Sequence, residues 1–431
     1  MKKTIMHLLS FFARSIVEKY NPVVVGITGS VGKTSSKEAI SLILSCQKRV
    51  RSNFSNYNNE FGLPLTIIGL KSPGKNLFKW VKVFVFATNL LLFKDKNYPE
   101  ILVLEMGVDR EGDMDYLLKI VKPDRAVLTN ISHSHLEYFG SIEKIKKEKV
   151  KLLQGLKKGG VAIINLDNDF SKDIKDNLKN LVISYGINSE ADVLARDINF
   201  VLPENGVKNN FYGINFKLEY KGSVVPVSLS GVISISSVYA ILSAVSVAIS
   251  LEFNIIDLIN CLKNFKNPTG RMNILPGVKN TIIIDDTYNS SPESSLIALD
   301  FLEKIKKTKN SRRIVVLGDM LELGNYSEDG HRLVGEKVAK IGVDEIILVG
   351  ERARDIGRGA IDNKFNKELI FHFTNPEDAG LFLQDRISEN DVVLIKGSQG
   401  VRLEKVVKEI MAEPEKAGEL LVRQTDEWLK K

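Results

Sequence analysis

A glycine-bracketed turn, Thr28-Gly29-Ser30-Val31-Gly32-Lys33-Thr34-Ser35, stands between the apolar run Val23-Val24-Val25 and a helical pattern that begins near Ser36. A strand that passes through such a turn into a helix commits this part of the chain to an α/β arrangement with a phosphate cradle. Gly29 and Gly32 let the backbone turn its N–H groups inward, Lys33 offers a cation to β/γ-phosphates, and the Thr34 hydroxyl suits Mg²⁺. The spacing departs by one residue from the common P-loop, because Ile27 occupies the place of its first glycine and Gly26 stands just before. Strand, Gly-Lys-Thr and helix start still coincide, so residues 28–35 read as a nucleoside-triphosphate site.

A chain of 431 residues holds two or three ordinary domains and a large core. Cys46 and Cys261 lie in apolar helical contexts without metal-ligand spacing, which reads as two buried thiols in a reducing compartment rather than zinc or redox chemistry. The net charge of +7 suits anionic nucleotides or a membrane surface, and no nucleic-acid-binding signature accompanies it. The opening Met1-Lys2-Lys3, followed by Ile5, Leu8, Leu9, Phe11 and Phe12, has the look of a short signal peptide. His7 and Arg14 interrupt it and no small-residue cleavage site follows, so it reads as an amphipathic cytoplasmic helix.

Farther on, 53–64 is an amide-rich loop closed by Gly62 and Pro64, equally a site lining or a solvated turn. Residues 77–93 are strongly apolar, yet Lys79 and Lys82 interrupt them and they fall short of the ~20 residues of a transmembrane helix. A core or interfacial helix is expected. Runs 101–104, 126–129 and 161–164 read as buried parallel strands whose carboxyl ends carry Glu105, the segment 130–135, and Asn165 with Asp167. On the helix expected at 141–156, Lys149 falls in the middle of the stripe Ile142, Ile145, Leu152, Leu153 and Leu156, either snorkelling to water or held for chemistry. Residues 192–231 alternate like a small antiparallel subdomain, 236–251 read as a core helix, and 264–270 as a hinge. Beyond it, strands at 281–284, 314–317, 346–349 and 392–395 indicate a second α/β unit. The expected organisation is an N-terminal amphipathic helix (1–20), a central P-loop domain (21–268) with a mostly parallel sheet, and a Rossmann-like C-terminal domain (269–431) with a helical tail.

Several runs together resemble the Mur ligase family: the P-loop, Asn58-Asn59-Glu60-Phe61-Gly62-Leu63-Pro64, Glu105-Met106-Gly107, His135-Leu136-Glu137, Asp285-Asp286-Thr287-Tyr288-Asn289, the Leu-Gly-Asp-Met-Leu-Glu-Leu-Gly run from Leu317, and Lys396-Gly397-Ser398. The resemblance covers about Val23 to Met411 and lies nearest to the members that add D-alanyl-D-alanine. It implies ATP-dependent amide ligation in peptidoglycan precursor synthesis, through an acyl phosphate, with a muramoyl-peptide precursor and D-alanyl-D-alanine as substrates.

By motif position it implies that Lys33 and Thr34 engage phosphates and a first Mg²⁺, that Glu105 bridges metals, and that His135 ligates a second Mg²⁺. Asp286 and Asn289 are then expected to meet the nucleotide, Arg271 to reach the phosphates from the hinge, and Lys149 to be carbamylated and bind metal. His133 is expected in a loop near the site, and His331 is either a family position or a helix-surface histidine. The family's asparagine on the 236–247 helix aligns with Ala240 or Ser237. The family's first domain, which usually recognises the uridine-diphosphate sugar, would precede the P-loop, where about twenty residues stand. Those residues and 77–93 are the candidates for a reduced acceptor platform or a peripheral membrane contact of an otherwise cytoplasmic monomer. The rival readings are a ligase of the same fold with a different acceptor, of folylpolyglutamate or polymer-forming type, and a non-catalytic nucleotide-binding scaffold of wall synthesis.

Overall fold

The computed structural model describes residues 2–54, 57–74, 76–134, 136–202, 212–305 and 311–429, apart from the side chains of Leu77 and Glu427. The first strands and helices are α1 Lys2–Tyr20, β1 Val23–Thr28, α2 Lys33–Ser45, β2 Val50–Ser52, α3 Gly62–Ile68, α4 Leu77–Leu92, β3 Ile101–Glu105, α5 Asp113–Ile120, β4 Arg125–Leu128, α6 Leu136–Phe139, α7 Ile142–Gln154, β5 Val161–Asn165, α8 Ser171–Asp176 and β6 Leu181–Gly186. Three longer strands follow, β7 Val193–Val201, β8 Gly213–Tyr220 and β9 Ser223–Ser230, then α9 Ile235–Ser250 and α10 Ile255–Leu262. They build one nine-stranded sheet of order β2-β3-β1-β4-β5-β6-β7-β8-β9.

Alternation along the strands explains why the sheet is covered on both sides. Val24, Leu102, Leu104, Ala126 and Leu128 face one cluster with α1, α4, α5 and α7. Val25, Ile27, Val103 and Val127 face the other, with α2, α9 and α10. β8 pairs antiparallel with β7 and with β9, and β7 pairs in parallel with β6. The small antiparallel unit is therefore an extension of the main sheet.

A second sheet, of order β10-β11-β15-β12-β13-β14, contains β10 Asn273–Pro276, β11 Ile282–Asp286, β12 Arg313–Gly318, β13 Glu345–Val349, β14 Ile370–Phe373 and β15 Val392–Lys396. All neighbours are parallel except β10 with β11. In each sheet the chain reverses its direction of propagation beside a central strand, β1 in the first, so the crevice at the carboxyl ends is where a ligand belongs.

The cysteines do not match the buried-thiol expectation. Cys46 is exposed at the end of α2 and Cys261 half-buried on α10, and their sulfurs form a disulfide across 215 residues of sequence. Both helices pack on the same face of the sheet, which brings their ends together; local apolar context could not show that. No helix among the described residues is long and apolar enough to cross a membrane.

Candidate active site

The turn after β1 is held open by its neighbours. Gly29 has φ 153° and a Cβ there would sit 2.0 Å from the Thr129 hydroxyl, while Gly32 has φ 86°, a left-handed conformation that glycine adopts without strain. The Ser30 hydroxyl is fixed between the N–H and C=O of Ser132, and the Thr129 hydroxyl donates to the Val31 carbonyl at 2.6 Å. Ser35 is buried in the first turn of α2. Thr28 lies just beneath, its hydroxyl turned into the sheet toward the Met106 carbonyl at 3.0 Å.

Lys33 folds back over this turn and donates to the carbonyls of Gly29 and Ser30 at 2.7 and 3.2 Å. Burial lowers its pKa, partly offset by the Glu105 carboxylate. From the opposite side, Lys149 of α7 reaches the same Gly29 carbonyl at 3.1 Å with only 1% of its surface exposed. Snorkelling is thereby excluded. Desolvation, followed by the nearby Lys33 charge, holds the Lys149 amine well below the ordinary lysine pKa.

Glu105 ends β3 with its carboxylate in the cleft, 7% exposed. Thr34 donates to it at 3.1 Å and so does the Asn58 amide at 3.1 Å, while Asn53 fastens its backbone. Asn59 accepts from the N–H groups of Phe61 and Gly62 and starts α3. The amide-rich loop thus lines the site with Asn58, Asn59 and Glu60, and Asn53, Asn58 and Asn59 each have a separate task. A carboxylate and a hydroxyl in contact are oxygen donors of the kind a hard divalent cation takes, so these residues fit a Mg²⁺ ion. His135 lies outside the described residues.

The second sheet faces this arrangement across a cleft of about 1260 Å³ that its own strand ends also line. Arg271, from the segment joining the two sheets, stacks on the Tyr288 ring at 4.1 Å and donates to the Thr34 hydroxyl at 3.2 Å. Asp286 lines the cleft but is held by the buried Lys396 at 2.6 Å and by the Met272 N–H. Asn289 is exposed on the cleft wall, and its carbonyl accepts from Lys396 at 2.9 Å.

His133 crosses to the second half, its ring nitrogen 2.9 Å from Glu293 and its ring against Tyr326. His331 is wholly buried: Nε2 accepts from the Met320 N–H at 2.9 Å and Nδ1 donates to the Ser327 carbonyl at 2.6 Å. Desolvation lowers its pKa, so it is a neutral clamp on the 317–324 run and not a surface histidine.

Ala240 is buried in α9, and Ser237 donates to the Asn267 amide oxygen at 2.6 Å. The amide that lines the cleft here is that of Asn267, four residues before Arg271. Sequence reading missed Asp109 and gave no separate role to Glu322 of the 317–324 run; both line the cleft and act on the Lys33 charge.

Residues 27–245 match the model of the Mur ligase middle domain, and residues 270–399 match that of the Mur ligase, glutamate ligase domain. The chain belongs to the Mur ligase family. This Mur ligase is 30% identical over 413 residues to the UDP-N-acetylmuramoyl-tripeptide–D-alanyl-D-alanine ligase of Buchnera aphidicola subsp. Baizongia pistaciae, an alignment covering 95% of this chain and 80% of that one. With the protein of the same name from Bacillus subtilis it shares 28% identity over 94% of this chain and 79% of that one. Its fold superposes on the MurF ligase of Thermotoga maritima in complex with ADP with a TM-score of 0.77 at 28% identity, covering 95% and 84% of the two chains.

Proposed function

We propose that this Mur ligase joins D-alanyl-D-alanine to the peptide of a muramoyl precursor at the expense of ATP. The observation that carries the reading is the convergence of the Lys33 cradle, the Thr34–Glu105 pair and Arg271 on one cleft whose other wall is the second sheet. The names of its relatives supply the substrates. The peptide carboxylate attacks the γ-phosphorus, ADP leaves, and the amine of the dipeptide then attacks the acyl phosphate carbonyl and expels phosphate.

In this sequence Lys33 exchanges its loop carbonyls for phosphate oxygens, and N–H groups at the start of α2 offset part of the charge. Arg271 approaches the same oxygens from the joining segment. Thr34, Glu105, His135 and a carbamate on Lys149 would hold two Mg²⁺ ions, which when bound offset the charge that builds on the transferred phosphoryl group. A neutral Lys149 amine is the form that adds to CO₂, with loss of one proton, to give a carbamate. Its desolvated position supports that chemistry. Asp286 and Asn289 position the nucleotide side of the wall, Asp286 through its pair with Lys396. Both walls come from one chain, so the reading requires only a monomer; we place it in the cytoplasm.

Purified protein given ATP, D-alanyl-D-alanine and a UDP-muramoyl-tripeptide should release phosphate and form a product heavier by the dipeptide less water. Lys33→Ala should lower turnover on the order of 10²-fold or more, since electrostatic stabilisation of this kind is worth several kcal/mol. Phosphate release without the new amide, or near-normal turnover in Lys33→Ala, would refute the assignment.

A further inference from the structure

Helix α4 is apolar on two sides. Trp80, Val83, Ala87 and Leu90 pack inward against α1 and the sheet. Phe78, Val81, Val85 and Leu92 recur at helical spacing on the outer side, with 86%, 60%, 54% and 70% of their surface exposed. The two helices run side by side in the same direction: Phe12 stacks near Phe84 at 5.8 Å, and eight residues on Tyr20 donates to the Leu90 carbonyl at 3.0 Å. Phe12 and Phe84 close the seam. Leu8 and the 61% exposed Phe11 then continue the outer apolar surface on α1. At the carboxyl end of α4, Phe86, Leu90 and Phe93 border a groove of about 280 Å³ rimmed by Lys94. Scattered exposed hydrophobes need no explanation, but a contiguous set of this kind does.

Charge distinguishes what covers it. Residues 1–20 and 71–97 carry ten Lys and Arg against two Asp and Glu, whereas the rest of the chain holds 50 and 51. The whole net charge of +7 thus comes from the segments that present the apolar surface. Lys3, Arg14, Lys79, Lys82, Lys94 and Lys96 are all exposed. Long cationic stems around aromatic and aliphatic side chains are what an anionic lipid surface accepts, the apolar atoms entering the acyl boundary while the ammonium groups stay among head groups. A 16-residue helix is about 24 Å long, too short to span a bilayer and suited to lying in its plane.

We propose that the outer face of α1 and α4 binds an anionic lipid surface, with both helices lying parallel to it. The amino end of α1 also reaches the cleft, where Lys2 and Met6 line the wall. Lipid contact and substrate cleft therefore share one helix. This contact is independent of which acceptor the ligase uses.

Flotation with phosphatidylcholine vesicles, with and without phosphatidylglycerol, tests it. The full chain should float with the anionic vesicles and not the neutral ones, and should be released as salt is raised. Val81→Asp/Val85→Asp should weaken flotation on the order of tenfold or more, and Lys79→Glu/Lys82→Glu should remove most of its salt dependence. Phe78→Ser/Leu92→Ser offers a milder pair should the first not fold. None of these residues lines the cleft, so ATP turnover with soluble substrates should be unchanged. Absence of flotation at low salt, equal flotation with neutral vesicles, or flotation undiminished in the folded variants would overturn the proposal. So would sedimentation showing a wild-type dimer that the same variants split, since a second copy would then cover the face.

Discussion

At the residue scale, the buried amine of Lys149 is the most informative group, because its stripe position was legible in the sequence while its acceptor was not. The Gly29 carbonyl lies 120 residues away and meets the amine only through the packing of α7 across β1. Lys149→Ala should abolish ligation, and added short-chain carboxylic acids should restore part of it by occupying the ligand position a carbamate would fill; unimpaired activity would contradict the role. Asp285, at the end of β11, is a second case. It is wholly buried, Oδ2 has no partner among the described residues, and burial pushes its pKa up to about 7 despite two bonds from Thr287. Between pH ~4 and ~7 the folded chain keeps a proton that the unfolded chain releases, so this group makes stability fall as pH rises through that window. Asp285→Asn has no such proton to lose. Between pH ~4 and ~7 the stability difference should shift in favour of the variant by roughly 4 kcal/mol or less and then level off, as urea titrations at several pH values would show; a pH-independent difference would exclude the titration.

At the scale of elements, long buried strands were readable because continuous Val, Ile and Leu runs have few other uses. β14, only four half-buried residues with a histidine among them, and β10, which runs antiparallel beside β11, gave no such signal. The 53–64 loop was ambiguous on composition, since amides serve solvent and sites alike. Its assignment depends on Glu105, which is remote in sequence. The pairing of Cys46 with Cys261 was hidden for the same reason. For the helix Ser327–Lys340, what mattered was the direction in which one histidine points. His331→Ala would leave the buried Met320 N–H without an acceptor and should cost about 2–3 kcal/mol, read as a lower midpoint in thermal unfolding. An unchanged midpoint would mean that the 317–324 turn is held by other bonds, such as that from the Leu321 N–H to Ser398.

At the scale of the whole molecule, the two sheets are joined at the cleft by Arg271 to Thr34, His133 to Glu293 and the main-chain bond from the Glu137 N–H to the Glu322 carbonyl, and beside it by Phe200 and Ile233, which pack into the core of the second sheet. A nucleotide that bridges the walls should stabilise the native state by about 2.7 kcal/mol at a hundredfold excess over Kd, and Arg271→Ala should reduce that gain at fixed nucleotide concentration by weakening affinity. Thermal shifts with and without ADP would measure it, and an identical gain in both proteins would remove Arg271 from the nucleotide. The two sheets were visible in sequence as two sets of strands, while their facing was implied only by the family resemblance, because no local pattern encodes it. Lys2, at the start of α1, and Trp428, near the other end of the chain, both stand on the wall of the same cleft. Energy transfer between a donor and an acceptor fluorophore attached at these two residues would report any change in the distance between these parts of the wall during turnover.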